Sequence, residues 1–588
     1  MEMDGIRTGD PAPQVHRDSA PGMSASSCCS VFTGCLRRLR QWIPVNYKDE
    51  LVHILRLAGP VMISQLMIFL ISFVSTVFCG HLGKTELAGV ALAIAAINVM
   101  GISIGSGLAS ACDTLISQTY GSGNLKRVGV ILQRAILILL LACCPCWALL
   151  INTEPILLAV RQRPEVARLS QLYVKIFMPA LPAAFLYQLQ GRYLQNQGII
   201  FPQVVTGALG NILNALINYV FLYVLELGVA GSAAANMISQ YSLAILLYAY
   251  IRWRKLHQST WTGWSTECLQ EWGSFIHLAI PSMLMLCLEW WTYEIGGLLC
   301  GLVSEVELGS QSVIYELATI SYMFPLGFSV AASVRVGSAL GAGDTQLAKL
   351  SGKVSMITAV AVSVIVAVII ATTKDVIAYI FTNDTEIITR VSQVMVLYAL
   401  SHFFDAIACV AGGVVRGTGK QKMGAICNLV GYYFIGFPIG VSLMFAVNMG
   451  IIGLWTGLLI CVALQSLFFV LLLVKLDWKK ATEEALVRAG VQSSTPTEES
   501  KIQANAIKNC AYDSVQETPL EDISRGEGHT DVEALDEGGG GGGGSSRTVG
   551  EVLPFRSLVL RRGLTLCVAL FILAAGVIVN LVLTNILG

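Results

Sequence analysis

Residues 57–80 read LAGPVMISQLMIFLISFVSTVFCG, and residues 278–301 read LAIPSMLMLCLEWWTYEIGGLLCG. Both stretches begin with Leu-Ala-x-Pro, end with Cys-Gly and lie 221 positions apart. Each is predominantly apolar over about 20 residues, the length that an α-helix needs to cross a bilayer. The pair therefore predicts a duplicated membrane-spanning helix.

The same offset recurs through the rest of both halves. It lies between 220 and 222 for four further pairs, which are Glu86-Leu87 with Glu307-Leu308, Gly121-x-Gly123 with Gly341-x-Gly343, Gly198 with Gly419, and Gly228-Val-Ala-Gly231 with Gly450-Ile-Ile-Gly453. Such a constant offset indicates duplication of a six-helix unit. Because six spans separate the copies, both begin on the same side of the membrane, and the repeats are parallel.

The composition is that of an integral membrane protein. Of 588 residues, 54% are hydrophobic and 13% are charged, whereas soluble proteins carry about 25% charged residues. The sequence predicts an all-α membrane protein with a twelve-helix core and a thirteenth C-terminal span. The spans are 55–79, 87–111, 128–151, 170–190, 203–224, 229–251, 275–300, 308–331, 353–373, 393–415, 425–447, 450–474 and 564–587.

Five regions follow from this pattern. Residues 477–560 are polar and contain seven consecutive glycines, Gly538 to Gly544, a composition typical of a disordered linker. We expect this linker to separate the last span from the transport core. The predicted regions are a cytoplasmic tail 1–50, an N-lobe 51–258, a C-lobe 259–476, a cytoplasmic linker 477–560 and a thirteenth helix 561–588.

The placement of Lys and Arg predicts the orientation. Basic residues before span one, after spans six, eight, ten and twelve, and before span thirteen fall on one side if the N-terminus is cytoplasmic. The 3–4 loop, with Arg161, Arg163 and Arg168, is an exception. The C-terminal end is then extracellular, and Asn383-Asp384-Thr385 is a glycan acceptor sequence on the outer side.

Several function classes have no support in the sequence. The net charge is zero and no domain is basic, so we expect no nucleic-acid partner. The 16 cysteines show no zinc-spaced pairs. There is no HExxH motif, no Ser/His/Asp signature and no metal-ligand cluster. We therefore expect neither an enzyme nor a cofactor or metal site.

Four carboxylates lie inside predicted spans. They are Glu289 and Glu294 in span seven, Glu316 in span eight and Asp405 in span ten. A charged side chain at the centre of a membrane helix costs about 2.5–3.5 kcal/mol by insertion scales. No Lys or Arg stands in the middle of a neighbouring span to pair with them. Because burial disfavours the charged form, a proton or a cation would stabilise these acids, which is what an antiporter requires.

Aromatic residues and a histidine surround these acids in the sequence. Aromatic faces attract organic cations by about 0.5–2 kcal/mol each, so lining of a cation site is one interpretation. Ordinary lipid-facing or interfacial aromatics are the alternative. His402, three positions from Asp405, either modulates a proton path or is a packed histidine bonded to the backbone. The candidates are Tyr293, Tyr315, Trp290, Trp291 and His402.

The membrane acids of the second half have no acidic counterparts at the matching positions of the first half. At the offset of 221, Ile68 stands opposite Glu289 and Ala184 stands opposite Asp405. Neither residue can hold a proton. We therefore expect the coupling site in the C-terminal lobe.

Six stretches resemble vertebrate members of the multidrug and toxin extrusion (MATE) family of transporters. The resemblance covers about residues 50–480. The stretches are Val77-Phe78-Cys79-Gly80-His81-Leu82-Gly83-Lys84, Ser110-Ala111-Cys112-Asp113-Thr114-Leu115, Val128-Gly129-Val130-Ile131-Leu132-Gln133-Arg134, Pro281-Ser282-Met283-Leu284-Met285, Glu289-Trp290-Trp291 and Ala331-Ala332-Ser333-Val334-Arg335-Val336-Gly337.

The resemblance implies two six-helix lobes with rocker-switch alternating access. It implies electroneutral exchange of protons for organic cations at the plasma membrane, in the apical membrane of epithelia, by a chain that functions as a monomer among lipids. The family's key glutamates fall on Glu289, Glu294 and Glu316, and a fourth falls on Asp405, which is one methylene shorter. Cysteines important for activity in the family correspond to Cys79 and Cys143.

Two other transport functions are compatible with the same fold. One is sodium-coupled multidrug export. The other is flipping of lipid-linked precursors, but a cavity for anionic headgroups should carry basic residues, which the spans lack. The sequence favours the proton-coupled antiporter.

Overall fold

Long α-helices make up this computed structural model, which describes residues 47–80, 82–382, 384–491 and 553–587. Twelve of the described helices are long and apolar enough to cross a membrane. Eleven of these belong to the predicted core, and the last is the C-terminal helix. The remaining core span is span six, predicted at 229–251. It is a 26-residue helix whose Ser, Asn and Gln residues lower its mean hydropathy.

Six helices form the first half of the chain, and short loops make successive helices antiparallel. A short helix, Thr153–Ala159, lies between the third and fourth. The six are α1 Tyr47–Gly80, α2 Thr85–Gly121, α3 Leu125–Leu150, α4 Pro164–Gln195, α5 Phe201–Val224 and α6 Gly228–Trp253.

Six more helices follow in the same order. Short 3₁₀ turns at Thr266–Leu269 and Ile377–Ile380 precede the first and fourth of them. The six are α7 Trp272–Val303, α8 Glu305–Gly341, α9 Thr345–Thr373, α10 Thr385–Thr418, α11 Gln421–Ala446 and α12 Ile451–Val474.

The backbone repeats the predicted duplication. Helices α1 and α7 carry an internal proline at Pro60 and Pro281. Helices α5 and α11 end in π-helical turns, Val220–Val224 and Ser442–Ala446. Paired residues with left-handed φ close matching loops, and these are Gly123 (79°) with Gly343 (77°), Gly198 (79°) with Gly419 (80°), Glu226 (51°) with Asn448 (57°), and Gly228 (58°) with Gly450 (62°). The two parallel six-helix repeats are therefore confirmed.

Each half has an apolar core of its own. One cluster of buried side chains runs from Ile71 to Ala279 and belongs almost wholly to α1–α6. Another runs from Cys300 to Val462 and belongs to the second half. We call α1–α6 the N lobe and α7–α12 the C lobe. Separate cores allow each lobe to keep its packing while the lobes move relative to each other.

The predicted disorder of the linker 477–560 is wrong at its start. Residues Trp478–Arg488 form a further helix, α13. The Asp477 carboxylate accepts hydrogen bonds from backbone N–H groups of the first turn. An ion pair joins this helix to the end of α10, with Lys420 Nζ 2.7 Å from Glu484 Oε2. The polar composition hid an amphipathic helix whose alanines are buried. Residues 1–46 and 492–552 and the glycan acceptor Asn383 lie outside the described residues.

The C-terminal helix also departs from expectation. It spans Phe555–Leu587, so it begins six residues before the predicted boundary at 561, and we call it α14. It packs on α3, where Asn152 Nδ2 donates to the Gly576 carbonyl at 3.0 Å and Asn580 Nδ2 donates to the Ile151 carbonyl at 3.0 Å. Arg562 lies 4.3 Å above the Trp272 ring. The last span is therefore attached to the N lobe and not isolated by the linker.

We predict that Gly576→Leu detaches α14. A Cβ at Gly576 would lie 2.7 Å from Ala148 Cβ, and overpacking of this kind costs about 1–3 kcal/mol. With a protease site inserted between residues 492 and 552, the cleaved α14 should elute separately from the core in gel filtration. Gly563→Leu is the control. A side chain at position 563 would extend into open space, so this variant should leave α14 bound. Equal retention in both variants would refute this packing.

Candidate functional site

The four predicted acids lie on three helices of the C lobe, and the structure groups them in two pairs. Glu289 on α7 and Asp405 on α10 interact electrostatically. Glu294 on α7 and Glu316 on α8 interact in the same way. Two like charges repel each other in a medium of low dielectric constant. Each pair is therefore stabilised when a proton or a cation joins it.

Two tyrosines of α8 hold the acids of α7. Tyr322 OH donates to Glu289 Oε1 at 2.8 Å, and Tyr315 OH donates to Glu294 Oε1 at 3.3 Å. The tyrosines are seven residues apart, which is two turns of one helix face. Because α7 and α8 are antiparallel, the earlier tyrosine meets the later glutamate. The phenols fix the carboxylates without neutralising them.

Glu316 carries a buried carboxylate oxygen that the neighbouring side chains leave unbonded. Its Oε2 atom is buried and has no hydrogen-bond partner among the described residues. An unpartnered buried carboxylate oxygen costs about 1–3 kcal/mol or more. The second pair therefore also favours a bound proton or cation.

Aromatic rings line this part of the C lobe. The Tyr293 ring lies 6.4 Å from the Tyr315 ring and 6.2 Å from the Trp455 ring, and Tyr398 lies 5.4 Å from Trp455. The structure thus brings both predicted tyrosines to the acids. Sequence reasoning missed Trp455, which lies on a span without acids, and Tyr398, which lies two helical turns before Asp405 on α10.

The two predicted tryptophans lie in different environments. Trp291 Nε1 donates to the Val99 carbonyl at 3.1 Å and lies 3.4 Å from Ser103 Oγ, and both acceptors belong to α2 of the N lobe. Trp290 is 37% exposed. Neighbouring residues of a helix point about 100° apart, so the two rings cannot face the same site. Trp291 joins the lobes, whereas Trp290 has the exposure of a lipid-facing residue.

His402 does not reach the acids. It is 1% exposed, and neither ring nitrogen has a hydrogen-bond partner within the described ranges. Its ring lies 6.0 Å from Tyr398 and lines a closed apolar cleft with Pro325, Phe328 and Ala359. The expected lining role therefore has no geometric support, and the alternative of a histidine bonded to the backbone is not found either.

The two predicted functional cysteines belong to the other lobe. Cys79 and Cys143 are fully buried in the apolar core of the N lobe, and Cys143 Sγ lies 3.5 Å from the Leu139 carbonyl. They are packing residues of a different core from the one that holds the acids. Any effect of these thiols on transport would act through the packing of the N lobe.

One cation of the C lobe was missed. Arg416 is near the end of α10, and its Nη2 donates to Ser329 Oγ on α8 at 2.7 Å. Arg416 also interacts electrostatically with Glu289. Arg416 belongs to the last turn of α10, so the prediction that no Lys or Arg stands in the middle of a neighbouring span is unchanged. Long side chains of a helix point back towards its N-terminus, so a residue at the end of a span reaches into its middle.

The lobes meet at one end of the bundle, where α1 begins and α2, α8 and α10 end. We call this end face A. Thr114 Oγ1 donates to the Arg416 carbonyl at 2.6 Å, and Gln118 Nε2 donates to the Gly417 carbonyl at 2.8 Å. Arg335 and Glu50 form an ion pair at 2.5 Å. Within the described residues, the side-chain hydrogen bonds and ion pairs that join the lobes lie at face A or, at Trp291, near mid-bundle.

Glycines make this contact possible. A Cβ at Gly121, Gly337 or Gly341 would overlap atoms of the opposite lobe, respectively Ser338, Ser117 and Gln118. Such close backbone approach is the usual reason for small residues between membrane helices. The lobes are thus closed tightly at face A.

Helix α13 adds to the closure at face A. Arg488 Nη1 donates to Gln118 Oε1 at 3.0 Å and pairs with Glu484 at 3.0 Å. Burial lowers the pKa of Arg488, and the Glu484 carboxylate opposes this effect. Arg488 remains charged at neutral pH, because an arginine does not lose its proton in proteins. The helix therefore links the C lobe to the end of α2.

Comparison with known proteins gives a consistent result. The profile of the MatE family matches twice, over residues 60–220 and 281–442. The chain is 69% identical over 560 residues to multidrug and toxin extrusion protein 1 of Danio rerio, covering 95% of each chain. It is 54% identical over 537 residues to the Homo sapiens protein of that name, covering 91% of this chain and 94% of the human one.

Solved structures show the same architecture. The eukaryotic MATE transporter AtDTX14 superposes with a TM-score of 0.73 at 29% identity, over 75% of this chain and 99% of that one. A multidrug resistance MATE family transporter solved in an outward-facing conformation gives a TM-score of 0.64 at 17% identity, over 74% of this chain and 97% of that one. The second likeness shows the fold alone.

We predict that Tyr322→Phe weakens binding of an organic cation by about tenfold, because a hydrogen bond to a charged group contributes about 1.5–3 kcal/mol. Without its phenol, Glu289 is no longer held towards the site. Equilibrium binding of tetraethylammonium to the detergent-solubilised chain measures this. Tyr219→Phe, on an exposed ring of the N lobe, is the matched control. If Tyr322→Phe binds as the parent does, the phenol does not position this carboxylate.

Proposed function

Because this chain belongs to the MATE family of multidrug and toxin extrusion transporters, we propose that it exports organic cations in exchange for protons. The exchange uses alternating access of two lobes. Glu289, Asp405, Glu294 and Glu316 hold either protons or the cation, and each displaces the other.

The observation that carries the proposal is the grouping of four acids in two like-charge pairs. Within such a pair, one proton or one cation relieves the repulsion, so both compete for the same place. The nearby rings of Tyr293, Tyr315 and Trp455 favour a cation with apolar substituents, because aromatic faces attract such ions. The substrate class is therefore a bulky organic cation.

Closure at face A supports alternating access. The lobes have separate cores, and the bonds of Thr114 and Gln118 to α10 join them at one end. Breaking these few contacts would open face A without disturbing either core. Alternation between this state and one closed at the opposite face moves the cation across the membrane.

Basic residues give the direction. Arg252 and Arg254 at the end of α6, and Lys420 and Lys422 at the junction of α10 and α11, lie at face A, and such residues concentrate on the cytoplasmic side. Face A is then cytoplasmic, and the described conformation is closed to the cytoplasm. We propose further that the chain acts in the plasma membrane as a monomer among lipids, with protons as the counter-ion.

The test is uptake of tetraethylammonium into proteoliposomes under an outward proton gradient. We predict that Glu289→Gln lowers proton-driven uptake by at least about tenfold, because the amide keeps the shape but loses the charge interaction of about 1.5–3 kcal/mol. Glu305→Gln, on an exposed acid at the start of α8, should transport as the parent does.

Three results would contradict the proposal. Full proton-driven exchange by Glu289→Gln would remove that residue from the coupling site. Uptake driven by a sodium gradient at equal pH would identify a sodium-coupled exporter. Movement of a lipid-linked precursor with no flux of tetraethylammonium would identify a flippase.

A further inference from the structure

Side-chain hydrogen bonds join α8 and α10 between the acids and face A inside the C lobe. Ser329 Oγ on α8 accepts from Arg416 Nη2 at 2.7 Å and donates to the Cys409 carbonyl on α10 at 2.7 Å. Cys409 follows Asp405 by one helical turn, and Ser329 follows Tyr322 by two turns. Tyr322 is the residue that donates to Glu289. The guanidinium of Arg416 thus lies along the same two helices that carry the acid site.

The guanidinium reaches well towards the acids. A Cβ at Gly412 would lie 4.0 Å from Arg416 Nη1, so this nitrogen is at the level of Gly412. Seven residues of α-helix separate Gly412 from Asp405, which is about 10 Å along the axis. Arg416 belongs to none of the ion pairs formed within the described residues. Its charge is therefore not cancelled by a carboxylate at contact distance.

The backbone of Arg416 is part of the contact between the lobes. Thr114 of the N lobe donates to the Arg416 carbonyl at 2.6 Å, and Gln118 donates to the next carbonyl at 2.8 Å. Gln421 also bonds to Thr114. Opening of face A separates Thr114 from this carbonyl. One residue thus contacts the opposite lobe with its backbone and the interior of the C lobe with its side chain.

The groups that interact electrostatically with Glu289 come from α7, α8, α10, α11 and α12. Among those in the described part of the chain, Arg416 carries the one positive charge. The others are neutral phenols and thiols and one carboxyl group. They are Tyr293, Tyr322, Asp405, Cys409, Tyr432 and Cys461.

We infer that Arg416 is a positioning residue of the exchange, a fixed cation that favours the charged form of Glu289 while face A is closed. The inference rests on the proposed proton–cation exchange. The positive charge disfavours any cation bound at Glu289, so it favours release of the organic cation on the open side and leaves a carboxylate that a proton can then join. Ser329 holds the guanidinium in place, and the bond from Thr114 holds the turn of α10 from which it extends.

The test is the pH profile of tetraethylammonium binding to the detergent-solubilised full chain. Tracer ligand is used far below its Kd, so that ligand affinity does not move the midpoint. For Arg416→Gln, the pH at which protons displace half of the bound ligand should rise by about one unit, the order expected when a positive charge that favours a carboxylate is removed. Arg416→Lys keeps the charge and should stay within about 0.3 units of the parent.

Two further variants separate this role from a structural one. Ser329→Ala keeps the charge but releases the guanidinium, and it should move the midpoint upward by less than Arg416→Gln does. Arg561→Gln, an exposed arginine of α14, should leave it unchanged. Loss of folded protein lowers maximal binding but does not move the midpoint.

An unchanged midpoint in Arg416→Gln, or an equal shift in Arg416→Lys, would overturn the inference. If Arg416→Gln cannot be purified, an unchanged midpoint in Ser329→Ala has the same force. A parent that binds ligand with no displacement by protons would contradict the proposed exchange itself, and the inference with it.

Discussion

The structure depends on one constraint, which is that carboxylates placed inside a membrane must find a stabilising partner. Four acids lie on α7, α8 and α10 in two like-charge pairs. Two phenols hold the glutamates of α7, and one arginine stands nearby on α10. These groups orient the acids without matching their charge. We propose that the remaining stabilisation comes from a proton or a cation that enters and leaves, so that exchange takes place in the C lobe.

The same acids explain why the lobes differ although their backbones repeat. Left-handed residues and π-helical turns recur at the offset of the duplication, so both halves share one architecture. The N lobe fills the position opposite Asp405 with buried Ala184 and keeps its buried thiols in a packed core. It serves as the surface against which the C lobe closes. Glycines at face A allow that closure, because their backbones approach the opposite lobe more closely than any side chain permits.

Patterns over many residues could be predicted from the sequence, whereas single contacts could not. The repeat, the spans and the four acids follow from hydropathy and from a constant offset. Helix α13 escaped because its composition is polar, and only its packed alanines and the Asp477 cap reveal it. The packing of α14 on α3 depends on Gly576, which looks ordinary in an apolar run.

Trp291 and His402 stand beside acids in the sequence, but their rings turn to α2 and to an apolar cleft. Arg416 was missed because it stands at the end of α10, whereas its long side chain extends to Ser329 inside the C lobe.

The central claim is that protons and organic cations compete for the same carboxylates. The most direct measurement is simultaneous recording of tetraethylammonium efflux and proton influx in proteoliposomes whose membrane potential is clamped at zero. The account predicts one proton taken up for each cation released, with no dependence on sodium. Cation efflux that proceeds without proton movement, or that follows a sodium gradient at equal pH, would contradict it.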